Sequence, residues 1–209
     1  MTSVHLQKRH EMTLGSGRRF VAGINSRRIR QVSVIIVCWF LSNASPHALS
    51  MNREIAEYPL KLGCLYNFAK FVEWPSDSFR SPGAPLAICI VGHDPFSLDT
   101  ENELRTRPVG GHPVEFVALK QTDRLNVCHI VFIPVTEKDQ AARIVRSLKG
   151  SRALTVGESE GFAVRGGIIN FTIEEGNVRF EINRLAAERA GLKISSKLLN
   201  LARVVTEQN

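Results

Sequence analysis

Residues 86–92 read Leu86-Ala87-Ile88-Cys89-Ile90-Val91-Gly92, an apolar run opened by Pro85 and closed by glycine. A strand with one wet face alternates apolar with polar residues, so an unbroken run fits a strand covered on both faces of a sheet. Cys128-His129-Ile130-Val131-Phe132-Ile133 repeats the pattern and is stopped by Pro134. Val114 to Leu119, after the Gly110-Gly111 turn, and Ala153 to Val156 read as further strands.

Helical signals fill the gaps. Asp94-Pro95 suits the N-cap and first position of a helix through about Leu104. A second helix runs from about Lys138 to Leu148, with Ala142, Ile144/Val145 and Leu148 inward and Lys149-Gly150 as its stop. Upstream, Ile55, Tyr58/Pro59, Leu62, Leu65/Tyr66, Ala69 and Val72 recur at three and four. This spacing predicts a helix over Glu54–Val72 with Pro59 in its first turns, ended by Trp74-Pro75. Downstream the style changes. Gly167 to Glu174 and Asn177 to Ile182 alternate around Glu175-Gly176, which predicts a β-hairpin. Asn183 caps a helix to Ala190, and Ser195 or Ser196 caps a last helix to Val205. The expected architecture is a layered α/β domain: a mostly parallel sheet with an antiparallel C-terminal hairpin at its edge, and helices on both faces.

Composition narrows the function. The 209 residues are 44% hydrophobic and 22% charged, which excludes collagen-like, mucin-like and wholly disordered chains. No run reaches the ~18–20 apolar residues of a spanning helix, so a polytopic membrane protein is excluded. The net charge of +7 is concentrated at one end: residues 1–44 hold seven of the 27 Lys and Arg but one of the 20 acids, leaving 20 basic against 19 acidic residues. A domain of net charge +1 offers little counterion-release attraction, so no nucleic-acid partner is expected.

The basic end reads as an export signal. Arg27, Arg28 and Arg30 precede an apolar core from Val32 to Leu41, and Ser42-Asn43-Ala44 supplies small residues for cleavage. The expectation is a leader over residues 1–44, with cleavage as late as Ala48 as the alternative, and a single mature domain over 45–209. That domain would meet an oxidising compartment. Cys38 leaves with the leader, so Cys64, Cys89 and Cys128 allow three single bridges and one odd thiol. The odd thiol would permit a covalent homodimer. There is no C-x-x-C pair, and neither a zinc ribbon nor a thioredoxin-type site is supported.

Gly157-Glu158-Ser159-Glu160-Gly161 matches the G-x-S-x-G of a nucleophile elbow. The elbow needs a later histidine, yet all six histidines precede Ser159, and Glu158 and Glu160 would oppose an oxyanion. We read the motif as a loop at a strand end. Phosphate cradles are missing, and His93, His112 and His129 lack metal-ligand spacing. No cofactor, metal or catalytic activity is expected, and His129 reads as a hydrogen-bonded core histidine. Ligands of open α/β sheets sit beyond the carboxyl ends of parallel strands. Gly92-His93-Asp94, Pro134-Val135-Thr136 and Gly157-Glu158-Ser159 lie there, which makes His93, Asp94, Glu158 and Ser159 candidate ligand-binding residues.

Several stretches together resemble the YfiR-like family across about residues 56–205. They are Lys61 through Trp74-Pro75, Ile90-Val91-Gly92, Cys128 to Ile133, Thr155 through Phe162, Gly167 to Phe171, Phe180 to Asn183, and Ala190 through Leu199. The resemblance implies a periplasmic repressor, not an enzyme. It would act on the periplasmic sensor domain of an inner-membrane diguanylate cyclase, and an outer-membrane OmpA-like lipoprotein could sequester it. Cyclic-di-GMP signalling and biofilm formation would be the output. The family pattern also implies a disulfide between Cys89 and Cys128, leaving Cys64 unpaired. A second bridge of some members has no cysteines here, since no Cys follows Cys128.

Overall fold

The computed structural model describes residues 46–120 and 122–207; the expected leader and Cys38 lie outside the described residues. The chain runs α1 (Pro46–Phe71), β1 (Val72–Glu73), β2 (Leu86–Val91), α2 (Leu98–Arg105), β3 (Val114–Leu119), β4 (Ile130–Ile133) and α3 (Lys138–Ser147). It continues as β5 (Leu154–Gly157), β6 (Ile169–Glu174), β7 (Asn177–Asn183), α4 (Arg184–Arg189), β8 (Lys193–Ile194), α5 (Ser196–Leu199) and β9 (Arg203–Val205). A seven-stranded sheet has the order β3-β2-β4-β5-β6-β7-β9, and β1 and β8 form a separate two-stranded antiparallel sheet. From β3 to β6 every pairing is parallel. The β6–β7 hairpin is antiparallel, and β9 returns parallel to β7.

The unbroken apolar strands do cover two cores. Ile88 and Ile90 of β2, with Ile130 and Phe132 of β4, pack with Leu62, Leu65 and Phe68 of α1. Their sequence neighbours Cys89, Val91, Val131 and Ile133 face the other way, against Ala141 and Ile144 of α3. Successive strand residues point to opposite faces, so a strand between two helical layers must be apolar at every position. Each such Leu, Ile or Phe contributes roughly 1.5–3 kcal/mol on full burial. The expected α/β class, mostly parallel with helices on both faces, is observed.

The differences have local causes. Helix α1 begins earlier than the expected Glu54, which places Pro59 in its interior. Proline there removes one i→i−4 hydrogen bond, and burial of the Leu62–Leu65–Phe68–Ala69 stripe offsets the loss. Helix α2 starts at Leu98 under Ser97, whose hydroxyl accepts from Thr100 N–H. Asp94 is therefore not its cap. Instead Asp94 Oδ1 accepts from Phe96 N–H at 2.9 Å in an Asx turn. Helix α3 turns Ala141 inward, and Ala142 is exposed. The predicted last helix to Val205 stops after four residues, and Arg203–Val205 joins the sheet. β-branched Val204-Val205 suits that strand, which makes β9 the sheet edge in place of the hairpin. At the hairpin itself Glu175 (φ 49°) and Gly176 (φ 81°) are both left-handed, as a two-residue type I′ turn requires.

Candidate functional site

The strand order places the topological switch between β2, whose next strand β3 lies to one side, and β4, which lies to the other. A crevice is expected there. It is covered: Gly92 (φ 76°) lies beneath the Glu137 side chain, with no room for a Cβ. His93 is exposed in the following loop. Asp94 turns toward Glu101 of α2. Burial pushes the Glu101 pKa up, the Arg105 guanidinium pulls it down, and the Asp94 carboxyl adds to the rise.

The open crevice lies farther along, over the ends of β4 and β5 and against β6, with a volume of about 480 Å³. Glu158 forms its floor. The side chain is only 3% exposed, and Oε1 accepts from Val135 N–H at 2.7 Å and from the Tyr58 hydroxyl at 3.2 Å. Lys61 of α1, with a side chain 4% exposed, forms ion pairs with both Glu158 and Glu57. Its ammonium also lies 4.9 Å from the Tyr58 ring centroid, within cation–π range. One buried carboxylate, Glu158, and one partly exposed carboxylate, Glu57, thus hold one buried ammonium, and the Val135 N–H supplies Glu158 with a further donor. A buried pair satisfied in this way pins α1 to the end of β5.

On the opposite wall, Asn170 and Thr172 share one face of β6, and register pairs Asn170 with Glu181 on β7. Asn170 Nδ2 donates to Glu181 at 3.3 Å, and Glu181 forms an ion pair with Arg203. Asn170 Oδ1 and Thr172 Oγ1 are buried without a hydrogen-bond partner.

Of the four candidate ligand residues, the structure brings only Glu158 to this crevice. Ser159 is buried in the turn after β5, where its carbonyl accepts from Phe162 N–H at 3.1 Å. The glycines around it serve Phe162: a Cβ at Gly157 would come 2.6 Å from the ring, and one at Gly167 would overlap it. Within the G-x-S-x-G stretch Gly157 thus makes room for the Phe162 ring, and Gly161 takes a left-handed φ of 68° in the turn. The residues missed were Tyr58, Lys61, Asn170, Glu181 and Arg203. Lys61 did leave a signal, a charge on the apolar α1 stripe between Tyr58 and Leu65.

Cys89 and Cys128 are joined by a disulfide with Cα atoms 5.8 Å apart, and Cys64 is free and half-buried. His129 sits beside the bridge. Its Nδ1 accepts from Ala87 N–H at 3.1 Å, so Nε2 carries the proton and donates to Ser78 O at 3.2 Å. Phe79 stacks on the ring at 4.4 Å and on His112 at 3.7 Å. Burial holds the His129 pKa below the ordinary value, against the opposing effect of the Ser78 hydrogen bond. It is the hydrogen-bonded core histidine expected from sequence.

A family model described as YfiR/HmsC-like matches residues 58–203, from the crevice tyrosine to the arginine of β9. The chain belongs to this family. Its members' signature therefore spans this YfiR/HmsC-like chain from α1 to β9. Among solved structures, the ABC domain in complex with L-Trp from Streptococcus pneumonia is similar at 15% identity and TM-score 0.42, over 57% of this chain and 55% of that one. A conserved domain protein from Vibrio cholerae O1 biovar El Tor is similar at 11% identity and TM-score 0.41, over 56% and 54%. The match spans about half the length of each. Among the described residues, no helix of this YfiR/HmsC-like chain is long and apolar enough to cross a membrane.

Proposed function

We propose that this chain is an exported periplasmic regulator, not an enzyme. In this reading it binds the periplasmic sensor domain of an inner-membrane diguanylate cyclase and represses it, which lowers cyclic-di-GMP and restrains biofilm formation. An outer-membrane OmpA-like lipoprotein would relieve the repression by sequestering it. Family membership over residues 58–203 carries the reading. The Cys89–Cys128 bridge supports it, because such bridges persist in oxidising compartments. Crosslinking the mature protein in its own envelope, followed by capture and mass spectrometry, tests it. Recovery of a cyclase with a periplasmic sensor domain is expected; its absence under oxidising conditions would overturn the reading.

The crevice favours a second reading, a small-molecule-binding protein. A cavity of about 480 Å³ is of ligand size, and its wall holds a buried acceptor with nothing to accept. A ligand-dependent melting shift of the isolated protein would support this reading, and a melt unmoved by every compound tried would remove it.

A further inference from the structure

We propose that the crevice over β5 and β6 binds a small aliphatic amine in its protonated form, an inference that rests on the small-molecule reading and names its ligand class. The first observation is charge. Four carboxylates, Glu57, Glu158, Glu160 and Glu181, line the cavity against two cationic side chains, Lys61 and Arg203. Both cations are already engaged, Lys61 by Glu57 and Glu158, and Arg203 by Glu181. The lining thus carries more negative charge than its own cations offset. An anionic solute would be repelled, and a neutral one would leave the surplus standing.

The second observation is independent of charge. Asn170 is 1% exposed and lines the cavity, yet its Oδ1 accepts no hydrogen bond. The orientation of this amide is not arbitrary. Its other end meets Glu181, and a carboxylate only accepts, so the nitrogen must point there. The group left over is necessarily an acceptor. Thr172 Oγ1, two residues along the same strand face, is likewise buried and unpartnered. A ligand that completes this wall must bring N–H donors and positive charge, and an ammonium group brings both.

The rim sets the remainder of the ligand. Val135 and Ile173 line the cavity and are 45% and 47% exposed, so they offer an apolar surface for a short methylene chain. A divalent metal fits less well, because among the described residues no three His, Cys, Asp or Glu side chains converge as a metal site. A diamine of four or five carbons carries this chemistry, two ammonium groups joined by an apolar chain.

The test uses the mature protein and putrescine, with 1,4-butanediol as the neutral control, succinate as the anionic one, and sodium chloride at matched ionic strength. Putrescine is expected to raise Tm saturably and to give a measurable calorimetric isotherm, while the controls do not. Thr172→Val preserves shape and removes the hydroxyl, and Glu160→Gln alters an exposed side chain. Each is expected to weaken putrescine binding roughly tenfold, the loss of one hydrogen bond or ion contact to a charged group, without lowering the melt of the free protein. Equal shifts from putrescine and sodium chloride, or variants that bind as well as the parent, would overturn the proposal. A saturable shift from butanediol or succinate that Thr172→Val weakens would overturn the amine class and leave the crevice as a ligand site. No shift from any compound would overturn both.

Discussion

Consider the removal of the Cys89–Cys128 bridge by the double substitution Cys89→Ala/Cys128→Ala. The bridge closes a loop of sequence separation 39. In the chain-entropy relation a loop of that length removes roughly 13 cal/mol/K from the unfolded ensemble, or about 4 kcal/mol at 25 °C. For a domain of this size each kcal/mol moves Tm by about 2–4 °C, so the melt should fall by about 8–16 °C. Both cysteines are buried in the core between the sheet and α3, and alanine leaves only a small void there. Most of the loss should therefore arise in the unfolded state. Urea unfolding separates the two sources. An uncrosslinked unfolded chain exposes more surface, so the m-value should rise as the midpoint falls. Reduction of the parent protein should reproduce both changes, since it frees the same loop. A loss below about 1 kcal/mol with an unchanged m-value would refute the argument that the bridge acts by constraining the unfolded chain.

Lys61→Ala would leave the Glu57 and Glu158 carboxylates without their shared ammonium, and a loss of about 3–5 kcal/mol is expected in urea melts. Lys61→Met combined with Glu158→Leu should recover much of it, because no lone buried charge then remains. Gly167→Ala places a Cβ in the Phe162 ring and should destabilise by about 1–3 kcal/mol, with Phe162→Leu relieving part of the effect; additive losses would contradict the contact. His129 has a pKa lowered from the ordinary 6.5 by burial, so the unfolded chain takes up the proton first as pH falls. Its contribution is complete above pH 6.5 and is lost as pH drops through that value toward the lower folded pKa. Unfolding free energies measured between pH 7.5 and 5 should show this acid limb, and His129→Gln should flatten it; an unchanged limb would assign it to other groups.

Much of the fold was legible along the chain because its cause is local. β2 and β3 occupy their expected bounds, and the helix and hairpin near them fall within a few residues of expectation. Asn183 and Ser195 cap α4 and α5 through their side chains, as their residue types require. These features depend on neighbours within one turn or one pleat. The strand β9 was read as helix because its reason is distant: three residues gain a ladder with Glu181 to Asn183, which only the folded hairpin presents. The pairing of β1 with β8 is invisible for the same reason.

The crevice shows the same division. Glu158 could be chosen from sequence because it follows a strand, and strand ends are where α/β sheets bind. His93 and Asp94 satisfied the same rule, yet Glu137, from the next strand's loop, fills the space over Gly92 beside them. Lys61, Asn170 and Arg203 stand 97, 12 and 45 residues from Glu158, and no periodicity links them. Helix α1 crossing the sheet brings Lys61 to Glu158, and strand register brings Asn170 and Arg203 to Glu181. Apolar pattern dictates which faces are buried, because burial scales with area and ignores direction. Which charges meet at the end of a strand depends on direction and distance, and those exist only once the layers have packed.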